Sequence, residues 1–215
     1  MVGRCHEGLR TRAARLAAAA QALKQASGAL APFSLAFMTD GRRIADPEPV
    51  LRALPAGSAV IFRDYDHSRR AAIARRFLSI CRGRGVLFLV AGDQRLAAAV
   101  GADGVHWPAG GRTADVRARA PGLVSVACHG AADLARARRL GADVALLSPV
   151  FPTRSHQEAE HLGPARFLAI AAASPLPVLA LGGVDATNAA LLDGRNVAGL
   201  AAIGAFVTGP PSPRS

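Results

Sequence analysis

The sequence predicts a closed parallel α/β barrel of eight strands, a (β/α)8 fold that lacks its final helix and carries a helix at its N-terminus. Three observations predict it. Past residue 32, eight short runs recur that are β-branched or continuously apolar, as strands buried on both faces tend to be. Segments of helical period separate most of them. A helix-to-strand junction also repeats: 96–100 runs into Gly101-Ala102-Asp103 and a strand, and 135–140 runs into Gly141-Ala142-Asp143 and a strand, at a 40-residue offset. A doubly wound sheet shares this rhythm, so the count of eight decides for the barrel.

Taken in order, residues 7–25 place Leu9, Ala13, Leu16, Ala20 and Leu23 at 3–4 spacing, the pattern of an amphipathic helix. The strand runs are 33–38, 59–62, 86–90, 104–106, 123–127, 144–147, 177–181 and 200–203. Helical patterns fall at 68–81, 94–100, 113–120, 131–140, 164–173 and 186–192, with room for a short helix at 49–54. Only nine residues follow Phe206, and Pro210, Pro211 and Pro213 are among them, so no eighth helix is expected. The helix within 7–25, or a partner subunit, is then expected to cover the eighth strand. The expected division is an N-terminal helical extension over 1–32, a barrel over 33–207 and a frayed tail over 208–215.

A chain of 215 residues with 51% hydrophobic and 19% charged residues can bury one substantial core. The formal charge of +11 suggests acidic partners. Arginine is dispersed and aromatics make up 5%, so phosphorylated small molecules are expected rather than nucleic acid. Lys24 is the only lysine, which excludes any mechanism that needs a pocket lysine beyond the N-terminal segment. Cys5, Cys81 and Cys128 suit neither a disulfide framework nor a zinc site, which points to a reducing cytoplasm. The uncharged stretch 167–184 is broken by Pro175, Pro177, Gly182 and Gly183, so no membrane span is expected. Self-association as a homo-oligomer is left open.

In such a barrel the active site forms at the C-terminal strand ends. That rule collects Thr39, Asp40, Arg63, Tyr65, Gly92, Asp93, His106, Trp107, Cys128, His129, residues 148–153, Gly182, Gly183 and Gly204. Gly182 and Gly183 end a strand just before a predicted helix start, where bare backbone N–H groups bind phosphate without lysine. Gly204 would supply the partner loop. Cys128 and His129 are adjacent, so only one of them can face the barrel interior.

Residues 60–63 (Val-Ile-Phe-Arg), 88–93 (Phe-Leu-Val-Ala-Gly-Asp), 101–106 (Gly-Ala-Asp-Gly-Val-His), 148–153 (Ser-Pro-Val-Phe-Pro-Thr) and 178–184 (Val-Leu-Ala-Leu-Gly-Gly-Val) together resemble thiamine phosphate synthase. The resemblance runs from about Phe33 to Phe206, within a superfamily that also holds a thiazole tautomerase. It implies a TIM-type barrel and a magnesium-assisted transferase, in which a hydroxymethylpyrimidine pyrophosphate loses pyrophosphate and a thiazole phosphate nitrogen captures the cation. Positive charge on the leaving group and a water-excluding pocket serve such a step.

With the resemblance added to the rim residues, Arg63, Thr153 and His129 are catalytic candidates, with His156 as a partial substitute for a family lysine, and Asp93 is the magnesium ligand. Gly92, His106, Gly182, Gly183 and Gly204, with Tyr65 as a stacking ring and Arg154 as a compensating charge, are the substrate-binding candidates. The chain departs from the pattern at several points. Tyr65 stands at a lysine position, Gly92 at an asparagine and Ala127 at a serine. Trp107-Pro108-Ala109-Gly110-Gly111 replaces the segment with a second acid, and Ser155 and His156 replace a threonine and a lysine. The tautomerase branch places a catalytic histidine where this chain has Pro149, leaving His106 and His129 as acid–base groups. Three readings stay open: a divergent synthase, a histidine-dependent isomerase, and a phosphometabolite-binding protein without chemistry.

Overall fold

Alternate residues of each apolar run face opposite sides, and the structure uses both sides. In this computed structural model, which describes residues 2–110, 122–153 and 160–206, eight parallel strands form a closed barrel in chain order. They are β1 Leu35–Met38, β2 Ala59–Phe62, β3 Leu87–Ala91, β4 Gly104–Trp107, β5 Leu123–Cys128, β6 Val144–Leu147, β7 Val178–Leu181 and β8 Val197–Ala202. Inward residues such as Ala36, Met38, Ile61, Leu89, Leu146 and Leu179 form one buried cluster. Outward residues such as Phe37, Val60, Phe62, Phe88, Leu147 and Leu200 form a second with the helices. Both faces of every strand are thus removed from water, as a parallel sheet requires.

The helices are α1 Val2–Ser27, α2 Glu48–Ala53, α3 Arg70–Arg82, α4 Gln94–Val100, α5 Ala131–Arg139 and α6 Gly163–Ala172. Two 3-10 turns, Ala189–Leu192 and Gly204–Phe206, flank β8. The helix expected over 113–120 and the tail over 208–215 lie outside the described residues. Over 186–192 the structure corrects the expectation: the α-helix is reduced to the 3-10 turn, which stops at extended Asp193. β8 begins earlier than its apolar run because Gly199, at φ 137°, brings the backbone against Ser34. A Cβ there would sit 1.9 Å from the Ser34 carbonyl oxygen, which accepts the Leu200 N–H at 2.8 Å.

The repeated junction acts as a tie between strands. Gly101 and Gly141 take left-handed φ of 73° and 71° at the ends of α4 and α5. Asp103 then bonds Phe88 twice, N–H to carbonyl at 2.9 Å and carboxylate to N–H at 2.7 Å. Asp143 does the same to Val124, at 2.8 Å in both bonds.

Among the described residues no α-helix follows β8, and α1 fills the space. It packs across β8 between α2 and the Ala189–Leu192 turn. Ala13, Leu16, Ala20 and Leu23 are buried in one cluster with Phe37, Leu200, Ala202 and Phe206. Arg12 Nη1 donates to the Phe206 carbonyl at 3.0 Å. Among the described residues no helix is long and apolar enough to cross a membrane.

Leu16 is 1% exposed at this seam, so Leu16→Ala should cost about 2–5 kcal/mol, read as a lower chemical-denaturation midpoint. Leu9→Ala, at a partly buried position of the same helix, should cost clearly less.

Candidate functional site

At the C-terminal ends of β1 and β2, short-range bonds tie two loops together. Thr39, fully buried, donates Oγ1–H to Asp64 Oδ2 at 2.7 Å and accepts the Arg63 N–H at 2.9 Å. Asp64 Oδ1 accepts the Gly41 N–H at 2.8 Å. Arg63, just past β2, places Nη2 2.9 Å from Asp40 Oδ2, and Asp40 also meets Arg43 at 3.4 Å.

The β2 and β3 ends meet in a second cluster, centred on a residue that the sequence did not single out. Arg70, the first residue of α3, reaches back to the rim. Its Nη2 donates to the Ala91 carbonyl at 2.6 Å and its Nη1 lies 3.3 Å from Asp93 Oδ2. Its guanidinium carbon sits 5.5 Å from the Phe62 ring centroid and 5.4 Å from that of Tyr65. Asp93 Oδ1 caps α4, accepting the Leu96 N–H at 2.9 Å. Gly92, at φ 67°, leaves room for Tyr65, whose Cε1 would stand 3.0 Å from a Cβ at that position. Burial raises the Tyr65 phenol above its ordinary value, against the opposing charges of Arg63 and Arg70. The side chain is therefore protonated at neutral pH.

His106 is 1% exposed, inside the barrel, with Nδ1 2.9 Å from Ser125 Oγ. Burial, and after it the charge of Arg63, lowers its pKa from 6.5 to about 3. It is a neutral interior group, which corrects the expectation of an acid–base residue near neutral pH. His129, by contrast, is exposed at the end of β5. Its Nδ1 lies 2.8 Å from the Ser148 carbonyl, which only accepts, so Nδ1 carries the proton and Nε2 is left as the acceptor. Cys128 is buried in the outer core, its thiol pushed up to about 12 by burial and then by Asp133. It is no nucleophile.

The loop after β6 is fastened to the end of β7: Val150 N–H donates to Leu181 and Phe151 N–H to Gly182, each at 3.0 Å. Gly182 and Gly183 take φ of 93° and 68°. A Cβ on Gly182 would stand 2.9 Å from Pro149 Cα, and one on Gly183 would stand 2.6 Å from the Pro152 carbonyl oxygen. The N–H groups of Gly182, Gly183 and Val184 donate to no described residue. The turn that follows does not present a helix N-terminus, contrary to expectation. Asp185 Oδ1 accepts the N–H groups of Thr187 and Asn188 at 2.8 and 3.1 Å and the Thr187 hydroxyl at 2.6 Å. Burial opposes ionisation of Asp185, but these bonds outweigh it and hold its carboxyl below the ordinary value. Gly204 is exposed with open space around it, and Thr153 lies half-buried after β6. Arg154, Ser155 and His156 lie outside the described residues.

The magnesium implied by the resemblance meets a poor donor set. Both Asp93 oxygens are engaged, one by a backbone N–H and one by a guanidinium. Among the described residues no three His, Cys, Asp or Glu side chains come close enough to share a metal ion. These residues do not fit a protein-held magnesium.

A closed parallel barrel with its polar groups and bare glycine turn gathered at the C-terminal rim defines the (β/α)8 class, whose enzymes work at that rim. Within that class the chain belongs to the thiamine monophosphate synthase family, whose model matches residues 35–206, from β1 through the turn after β8. A thiamine-phosphate synthase of Bordetella avium is 39% identical over 153 residues, 66% of this chain and 70% of that protein. One of Thiobacillus denitrificans is 34% identical over 165 residues, 74% of this chain and 78% of its own length. Among solved structures, a thiamine phosphate pyrophosphorylase from Pyrococcus furiosus superposes with a TM-score of 0.65 at 24% identity, covering 79% of this chain and 85% of that one. The last match speaks to the fold alone.

Because folding lowers the His106 pKa from 6.5 to about 3, the unfolded chain binds more protons in that window, and stability falls as pH drops through it. His106→Gln should flatten that decline, measured as denaturation midpoints at about pH 7 and 5. In the unmodified protein, imidazole NMR signals of His106 should stay those of a neutral ring across the same range.

Proposed function

We propose that the chain is a thiamine phosphate synthase-like transferase acting on phosphorylated small molecules in the cytoplasm. The observation that carries this reading is family membership over the whole barrel, with the Gly182–Gly183 turn, whose N–H groups donate to no described residue, at its rim. In this reading the pyrimidine methylene C–O bond breaks and its electron pair leaves with pyrophosphate. The thiazole nitrogen then gives its lone pair to the methylene carbon. Arg63, with Arg154 and His156, is assigned to the departing pyrophosphate, and the Gly182, Gly183 and Gly204 loops with Thr153 to the thiazole phosphate. Tyr65 offers a flat, half-exposed ring for a heterocycle to stack on. Magnesium is assigned no protein cage, because both Asp93 oxygens are already engaged.

A second reading rests on His129. With Nδ1–H fixed on Ser148, its Nε2 is set as a base, as an isomerase of the tautomerase kind would need.

Purified protein given both phosphorylated precursors should release pyrophosphate, and Arg63→Ala should slow the release about 10²-fold. Gly183→Asp should abolish binding of the thiazole phosphate, read by calorimetry. An absence of release, with the thiazole phosphate still bound, would reject the transferase. Isomerisation that persists without metal and disappears in His129→Ala would establish the second reading.

A further inference from the structure

We infer that this barrel holds pyrophosphate without a divalent cation, with the Arg70 guanidinium standing beside Asp93 where such a cation would otherwise be needed. The inference rests on the transferase reading above and names the cation of that site.

Arg70 is built in from every side. Its side chain is 14% exposed and its guanidinium lies between the Phe62 and Tyr65 rings, with the Ala91 carbonyl and the Asp93 carboxylate as acceptors. A guanidinium has five N–H donors and keeps its charge at any working pH. These contacts use two of them, and the enclosed Nε has no acceptor among the described residues. A fixed cation at the β3 end of the rim, with Nη N–H groups beyond the two used here, suits an oxyanion directly.

The same packing explains two departures from the family pattern together. Tyr65 lies over Arg70, and glycine at 92, with φ 67°, gives its ring room where a Cβ would press on it at 3.0 Å. The position that resembles a lysine and the position that resembles an asparagine have therefore been spent on one object, a sandwiched arginine.

The rim carboxylates lead to the same conclusion. Asp93 is divided between Leu96 N–H and Arg70, Asp40 between Arg63 and Arg43, and Asp64 between Thr39 and Gly41. Each of these three is already matched by donors and Asp66, the other acid after β2, is a single exposed carboxylate, so a protein-held divalent ion would have to displace an existing partner, whereas a pyrophosphate meets Arg63 and Arg70 with charge already in place.

The test is calorimetric titration of the full chain with inorganic pyrophosphate, in EDTA and in millimolar magnesium. The two affinities should agree within about threefold, and Arg70→Ala should weaken binding about tenfold or more in EDTA. Asp93→Asn keeps a good helix cap and frees Arg70, so binding in EDTA should hold or tighten. Binding that needs magnesium and is lost in Asp93→Asn overturns the inference and leaves the transferase reading intact. Failure to bind pyrophosphate under either condition also overturns it. Pyrophosphate bound in EDTA by a protein that releases none from the two precursors rejects the transferase reading and keeps this one.

Discussion

Everything in this molecule depends on the seam between β8 and β1. A parallel barrel has no free edge only while those strands pair, and here they do so with Leu35, Ala36 and Phe37 beside Leu200, Ala201 and Ala202. Pairing alone is insufficient, because the outward faces of both strands are apolar and need a helix over them. The chain meets that need with α1, whose Ala13 and Ala20 allow close approach and whose Leu16 and Leu23 fill the gap. The glycine at 199 serves the same seam from the other side by letting the Ser34 carbonyl reach the Leu200 N–H.

With the seam closed, the rim loops are held at fixed mutual positions, and their chemistry follows from who meets whom. On the β1–β3 side Asp40 and Asp93 are answered by arginine and Asp64 by Thr39 and Gly41, so these three carboxylates are already engaged. On the β6–β8 side the glycines do two things at once. Their lack of a Cβ admits the loop after β6, and their N–H groups donate to no described residue. Asp185 keeps the neighbouring turn for itself, so any phosphate there would depend on Gly182, Gly183 and Val184 rather than on a helix dipole.

The strands were legible because both-faced burial forces continuous apolar runs, and the repeated Gly-Ala-Asp junction announced the βα unit directly. What was less legible depended on distant partners. Gly199 reads as the break before a strand until Ser34 is seen against it. The 186–192 pattern has helical spacing, but Asp185 and Asp193 confine it to a 3-10 turn. Arg70 looks like any other arginine on a solvated helix face, with Arg69, Arg75 and Arg76 close by in the sequence; only the two rings and Asp93 mark it out. Asp64 and Ser125 were missed for the same reason, each explained by a partner 19 to 25 positions away. Sequence could name His106 as a rim residue but not count the walls around it.

The helix that covers β8 lies at the other end of the numbering, and Arg12 bonds a carbonyl 194 positions later. The barrel's last strand is therefore covered by a segment of very different sequence position, a contact whose formation carries a large loop-closure entropy. Contacts of such sequence separation fold more slowly than local turns.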